Sequence, residues 1–309
     1  MCPSAMVAFL LRKKSWSWVH IEYLMPIEWK EDPFISLQLQ PDQKKLIKSL
    51  VEGFNKGPWK LEDDPYRDVI EGKGKGLIFL LQGPPGVGKT LTAESVAEST
   101  QRPLYHVSTG ELSSEPSSLE KQLKDIFRLG SRWGAVVLFD NLGEFLLEST
   151  ILSPRNAALP VLCHLIEYYE GMLFITTNAD EISYKNPLFS HINVHLRYYD
   201  PDLSQRTNIW RQHLERVRGS THCDESKNQW SEETYELLGQ LHTNGREIRN
   251  YVRTAHGYAH ALREDLDINH LLTVIRNNLN ARQSSETSVI LSQLEARACM
   301  GITNRTAEP

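Results

Sequence analysis

Residues 83–90 read GPPGVGKT, and residues 135–141 read AVVLFDN. The first stretch satisfies GxxxxGK[ST], a spacing whose chemistry can be derived residue by residue. Glycines at 83, 86 and 88 permit backbone conformations that a side chain would forbid, so successive amides can turn inward around phosphate oxygens. A helix beginning near Lys89 would add the positive end of its dipole. Lys89 supplies an ammonium for the β and γ phosphates, and Thr90 a hydroxyl ligand for Mg²⁺. Gly83, Pro84, Pro85, Gly86, Val87, Gly88, Lys89, Thr90 and Leu91 together form the expected binding segment. Asp140 closes the apolar run VVLF, where a carboxylate would stand beside such a loop and hold Mg²⁺ through water. Thr90 and Asp140 are therefore the candidate metal residues, Asp140 and Asn141 join the binding set, and ATP with Mg²⁺ is the expected cofactor pair.

These residues need elements to hold them. GLIFLLQ (76–82) is an unbroken apolar run, the signature of a strand buried on both faces, and it leads directly into the glycine-rich stretch. TLTAESVAESTQ (90–101) follows as a helix, PLYHVST (103–109) as a strand, SSLEKQLKDIFRLGSRW as an amphipathic helix and AVVLFD as a second buried strand. AALPVLCHLIEYYEG reads as helix and MLFITTN as strand. Strands alternating with helices predict a parallel sheet covered on both faces. Ahead of this alternation, residues 5–24 alternate apolar and polar around RKKS, which predicts a hairpin. A helix follows near Pro41, with Leu46, Ile47, Leu50, Val51 and Phe54 as its apolar stripe, and then the loop NKGPWKLEDDPYRD. After about residue 202 only helical patterns recur, with one more helix around 287–298. The fold class is thus an α/β P-loop NTPase sheet between helices, with a smaller all-helical domain behind it. The expected boundaries are 1–60 for the lead-in, 61–201 for the α/β domain, 202–282 for the helical domain and 283–309 for a poorly patterned tail.

Bulk properties exclude several classes. The 309 residues are 40% hydrophobic and 24% charged, with a net charge of -5, so no basic field for nucleic acid and no polybasic membrane arm is indicated. No apolar run approaches the ~20 residues that span a bilayer, and AMVAFLL (5–11) has neither preceding basic residues nor a cleavage site, so it reads as a strand. Cys2, Cys163, Cys223 and Cys299 have no metal-type spacing and read as isolated reduced thiols, which points to the cytoplasm, the nucleus not excluded.

The stretches IEGKGKGLIFLLQGPPGVGKTLTAESVAE, WGAVVLFD, EYYEGMLFITTN and NGREIRN, with MPIEWKEDPF as a lead-in, resemble the AAA+ ATPases, and more closely a fungal-type group of AAA ATPases. The resemblance covers roughly residues 7–280. It implies that Asn178, ending LFITTN, is a sensor that positions the attacking water, and that Arg246 in NGREIRN is a second sensor on a helical lid, with Arg249 the weaker candidate one turn on. It also implies a homo- or hetero-oligomeric ring that acts on a protein partner or substrate. Proteins of that group carry a substantial region before the lead-in, so the chain looks short at its front. STGELSS (108–114) lacks the aromatic-hydrophobic pair of a pore loop and reads as a surface loop.

Two departures concern hydrolysis. AAA+ enzymes follow the strand-end Asp with a Glu that polarises water, and here Asn141 stands in that place. A carboxamide is neither charged nor a base at neutral pH. Glu144 is the candidate substitute. In the group, PxFxSRI supplies an arginine finger; here PLFSHIN puts His191 in that position, and Arg197 lies on the next strand. Ala179 also stands where the group often has Arg. Neutral imidazole does not replace a permanently charged bidentate guanidinium. Binding parts are intact while two hydrolytic parts are replaced. The expectation is an ATP-binding protein of the ATPase fold with weakened hydrolysis. The alternatives are a fully active ATPase with a substitute base and a non-hydrolysing, nucleotide-gated scaffold. A small-molecule kinase would leave the NGREIRN module unexplained.

Overall fold

The apolar runs form the centre of a five-stranded sheet in the computed structural model of the chain, which describes residues 3–29, 33–34, 37–56, 73–113, 115–143, 158–178, 186–220, 230–279 and 288–296. Strands β3 (Leu77–Gln82), β4 (Leu104–Ser108), β5 (Val136–Asp140), β6 (Met172–Thr177) and β7 (Val194–Arg197) lie in the order β4-β5-β6-β3-β7. Every pairing is parallel. All six residues of β3 and of β6 are buried, which explains why both read as unbroken apolar runs. Phe79 and Phe174 are opposite each other in register and stack at 4.5 Å. Because the strands are parallel, the segments leaving β3, β5 and β6 emerge at one edge of the sheet, the edge at which open α/β sheets carry their ligands.

Among the described residues, three helices follow the strands of this sheet: α2 (Lys89–Ser99), α3 (Pro116–Trp133) and α4 (Ala158–Glu167). In α3, Leu119, Leu123, Ile126, Phe127 and Gly130 recur at helical spacing and are buried in the core with Val137, Phe139 and Leu173. Proline in its first turn and Gly134 at φ 58° after its last residue set its ends.

The predicted hairpin is β1 (Ala5–Leu10) paired antiparallel with β2 (Ser15–His20). Phe9 anchors it, with ring contacts to Trp133 at 4.9 Å, Trp16 at 5.3 Å and Tyr105 at 6.0 Å. Lys14, at φ 51° in the turn, pairs with Glu111. Helix α1 (Pro41–Lys56) forms as expected, but its stripe is narrower than predicted. Ile47, Val51 and Phe54 are buried and Leu50 is half-buried, whereas Leu46 is 44% exposed. The rest of the loop predicted after it, from residue 57 onward, lies outside the described residues.

The chain divides into two compact units, residues 1–85 with 89–198, and residues 86–88 with 199–309. In the second, α5 (Leu203–Ser220), α6 (Glu232–Gln240), α7 (Gly245–Leu262) and α8 (Ile268–Leu279), with the helix at 288–296 (α9), enclose their own core. Trp210, Leu214, Leu238, Leu271, Ile275 and Leu294 are among its fully buried members. No strand occurs among the described residues of this unit. Helix α7 opens on a reciprocal cap: the Asn244 side chain accepts from the Glu247 N–H and the Glu247 carboxylate from the Asn244 N–H, both at 2.9 Å. Cys163 is a buried free thiol, and Cys2, Cys223 and Cys299 lie outside the described residues.

Candidate functional site

The glycine-rich stretch joins β3 to α2. Position 83 admits no side chain, because a Cβ there would stand 2.3 Å from the Tyr198 carbonyl oxygen. Gly88 is required for a different reason: a Cβ would meet nothing within 4 Å, but φ is +106°. Pro85 is exposed, Pro84 and Val87 are half-buried, and Gly86 has φ +84°. Leu91, on the first turn of α2, is 47% exposed. Lys89 opens the helix and is only 6% exposed; its ammonium donates to the carbonyls of Gly83 at 2.7 Å and Pro84 at 2.6 Å. A buried ammonium must be hydrogen-bonded, and here the loop's own backbone supplies the acceptors.

The end of β5 brings the next groups together. Asp140 Oδ1 accepts from the Thr90 hydroxyl at 2.9 Å and from the Thr176 hydroxyl at 2.5 Å. Its Oδ2 lies 3.4 Å from His106 Nε2. The imidazole of His106 and the hydroxyls of Thr176 and Thr90 outweigh partial burial and hold the Asp140 carboxyl down at about 2. The same contact raises His106, against its own burial. The two predicted metal residues, Thr90 and Asp140, are thus in direct contact, with the carboxylate ionised.

Asn141 takes a left-handed backbone conformation at φ +61°. Its N–H donates to Thr176 Oγ1 at 2.8 Å and its carbonyl accepts from the Thr109 hydroxyl at 2.6 Å. The same hydroxyl reaches the Asp140 carbonyl at 3.1 Å. The side chains of Asn141 and Asn178 meet: Asn178 Nδ2 donates to Asn141 Oδ1 at 2.9 Å, and both residues are exposed. Among the sequence candidates, then, Thr90 and Asp140 are joined in one hydrogen-bonded group, and Asn141 and Asn178 in an adjacent one.

Other candidates stand elsewhere. Arg246 and Arg249 are exposed residues of α7, in the second unit. Glu144 and Ala179 lie outside the described residues. His191 ends the 3-10 helix Pro187–His191, and Arg197 is the exposed last residue of β7. Sequence reasoning missed His106, Thr109 and Thr176. A signal did exist for Thr176: it and Thr177 are hydroxyl side chains in an otherwise apolar run, and both are buried.

The donor set suits Mg²⁺. It offers one ionised carboxylate and one hydroxyl, hard oxygen ligands of the kind used where phosphates and water complete the shell. Among the described residues no group of three or more His, Cys, Asp or Glu could hold an ion by itself.

The family model described as "ATPase family associated with various cellular activities (AAA)" matches residues 79–197. That stretch is similar to an AAA domain. Its fold is the α/β P-loop NTPase sheet, and an all-helical region of the lid type follows it. Lon protease of Leptospira interrogans is 27% identical over 55% of this chain and 22% of its own length. Lon protease 1 of Hydrogenovibrio crunogenus is 34% identical over 37% of this chain and 13% of its own. The human ATP-dependent zinc metalloprotease YME1L1 is 26% identical over 62% of this chain and 25% of its own. The chain therefore spans no more than about a quarter of the length of these relatives. Among the described residues no helix is long and apolar enough to cross a membrane.

Proposed function

We propose that this chain binds ATP with Mg²⁺ at the β3–α2 loop, hydrolyses it slowly, and couples binding to the assembly or remodelling of a protein partner. The observation that carries the reading is the Thr90–Asp140 contact beside the buried Lys89 ammonium, followed by an amide, Asn141, where a water-polarising carboxylate would be required. Thr90 and Asp140 would hold Mg²⁺, which neutralises phosphate charge when bound. Lys89 would bring its charge to the phosphates; the Gly83 and Pro84 carbonyls to which it donates are neutral, weaker partners than phosphate oxygens. Asn141 cannot take a proton from water, and loss of a general base costs ~10²- to 10⁴-fold. Asn178 and Arg246 are proposed as the sensors, and His191 as the residue in the arginine-finger position.

A protein partner is supported by the relatives, whose names describe proteases, two of them Lon enzymes and one an ATP-dependent metalloprotease. Ring assembly, cytoplasmic placement and the fungal-type subgroup belong to the same proposal.

Timed phosphate release from Mg-ATP tests the hydrolytic half. Release well below ~1 per second by the protein alone is expected, since ordinary enzymes reach 1–10³ per second. Turnover near that value would contradict it, and its loss in Glu144→Gln would then assign the base to Glu144. Lys89→Ala is expected to weaken ATP binding by about 100-fold, the loss of two charge-assisted hydrogen bonds.

A further inference from the structure

We propose that Asn141 is a phosphate-recognising residue whose side-chain amide makes the site favour a nucleoside triphosphate over the diphosphate. The inference rests on the ATP-binding reading above and deepens it: the position that has lost a water activator has gained a hydrogen-bond donor.

The argument starts from the amide inventory. A carboxamide has one carbonyl oxygen and two N–H donors. Asn141 Oδ1 is taken by Asn178 Nδ2 at 2.9 Å. That bond consumes acceptor capacity and leaves both Nδ2 hydrogens of Asn141, which no acceptor among the described residues takes. The second hydrogen of Asn178 Nδ2 adds a third donor. Together the two side chains present a neutral face rich in N–H groups. A Glu or Asp at position 141 would present negative charge and no donor.

Placement says which anion this face would meet. Asn141 directly follows Asp140, whose carboxylate accepts from the Thr90 hydroxyl. That pair would hold Mg²⁺, which would neutralise the charge of the outer phosphates of a bound triphosphate, and so would stand at its β/γ end. The next residue along the strand end is thus placed for the terminal phosphoryl group, which the diphosphate lacks.

The orientation is built rather than incidental. Asn141 holds φ +61°, a conformation Asn tolerates better than Glu does. Three hydrogen bonds fix it from two neighbouring elements: its N–H to Thr176 Oγ1 at 2.8 Å, the Thr109 hydroxyl to its carbonyl at 2.6 Å, and the Leu142 N–H to the Thr176 carbonyl at 2.8 Å. Asn178 is then a positioning residue, turning the Asn141 amide so that its donors face outward.

The test compares the full chain with two variants, using calorimetry with Mg²⁺ and either ADP or the nonhydrolysable imido analogue of ATP. The wild type is expected to bind the analogue more tightly than ADP. Asn141→Asp keeps size and backbone preference but exchanges the donors for a charge; it is expected to weaken the analogue about 10-fold or more while ADP stays within about twofold, as for a lost charge-assisted hydrogen bond. Asn141→Gly, which accepts φ +61° without strain, is expected to shift the ratio in the same direction by a smaller factor. A ratio unchanged in both variants, or equal losses for both nucleotides, would overturn the inference alone. Failure of the wild type to bind either nucleotide would overturn it together with the reading beneath it.

Discussion

Thr176 connects the two halves of the candidate site. Its hydroxyl donates to Asp140 Oδ1 and accepts from the Asn141 N–H, and its own side chain is buried. Replacing it by Val keeps the shape but leaves the Asn141 N–H without that acceptor, a loss of about 1–3 kcal/mol. Urea denaturation should show Thr176→Val destabilised by that amount, with an unchanged slope. Gly83 to Thr90 and Asp140 were legible as candidates because the chemistry they suggest is encoded in local spacing. Thr109 and Thr176 were not, because their partners lie 31 to 36 residues away and meet them only through the alignment of β4, β5 and β6. The left-handed backbone at Asn141 was equally hidden; position 141 could be read as a missing Glu but not as a residue suited to a particular φ.

At the level of elements, strand and helix order was legible because burial on both faces leaves no polar alternation in β3 and β6, and because α3 keeps strict helical spacing. Leu46 shows where pattern alone fails. It continues the stripe of α1, yet it is exposed while Ile47 one residue on is fully buried. A repeat of 3.6 admits either neighbour, and packing decides between them. Two predictions belong here. Asn244→Ala removes the side-chain half of the cap on α7 and should cost ~1 kcal/mol in a thermal melt. Trp133→Ala removes an aromatic partner of Phe9, Trp16 and Tyr105. A two-stranded ribbon is marginal by itself. Amides of residues 5–10 and 15–20 should therefore lose hydrogen-exchange protection in that variant, while those of β3 and β6 keep theirs.

Across the whole molecule, each unit carries its own apolar core, and the division of labour between sheet and helices was readable from the disappearance of strand patterns after about residue 202. The helical unit also carries a pH liability that sequence did not signal. Burial, with Arg216 and Arg249 adding to it, pushes His213 on α5 down to about 4. The folded state thus binds this proton less readily than the unfolded chain does. The contribution is fully present above the ordinary value near 6.5 and is lost as pH falls towards 4. His213→Gln should flatten the stability profile between pH 6.5 and 4. The account as a whole turns on a polyphosphate that is gripped but barely cut. Its most direct test is to mix the protein with equimolar Mg-ATP, trap it on a filter after about a second, the turnover time of an ordinary enzyme, denature it, and identify the nucleotide retained. Recovery of intact ATP, with Lys89→Ala carrying none, is the predicted result; recovery of ADP alone, or of no nucleotide from the wild type, would contradict the account.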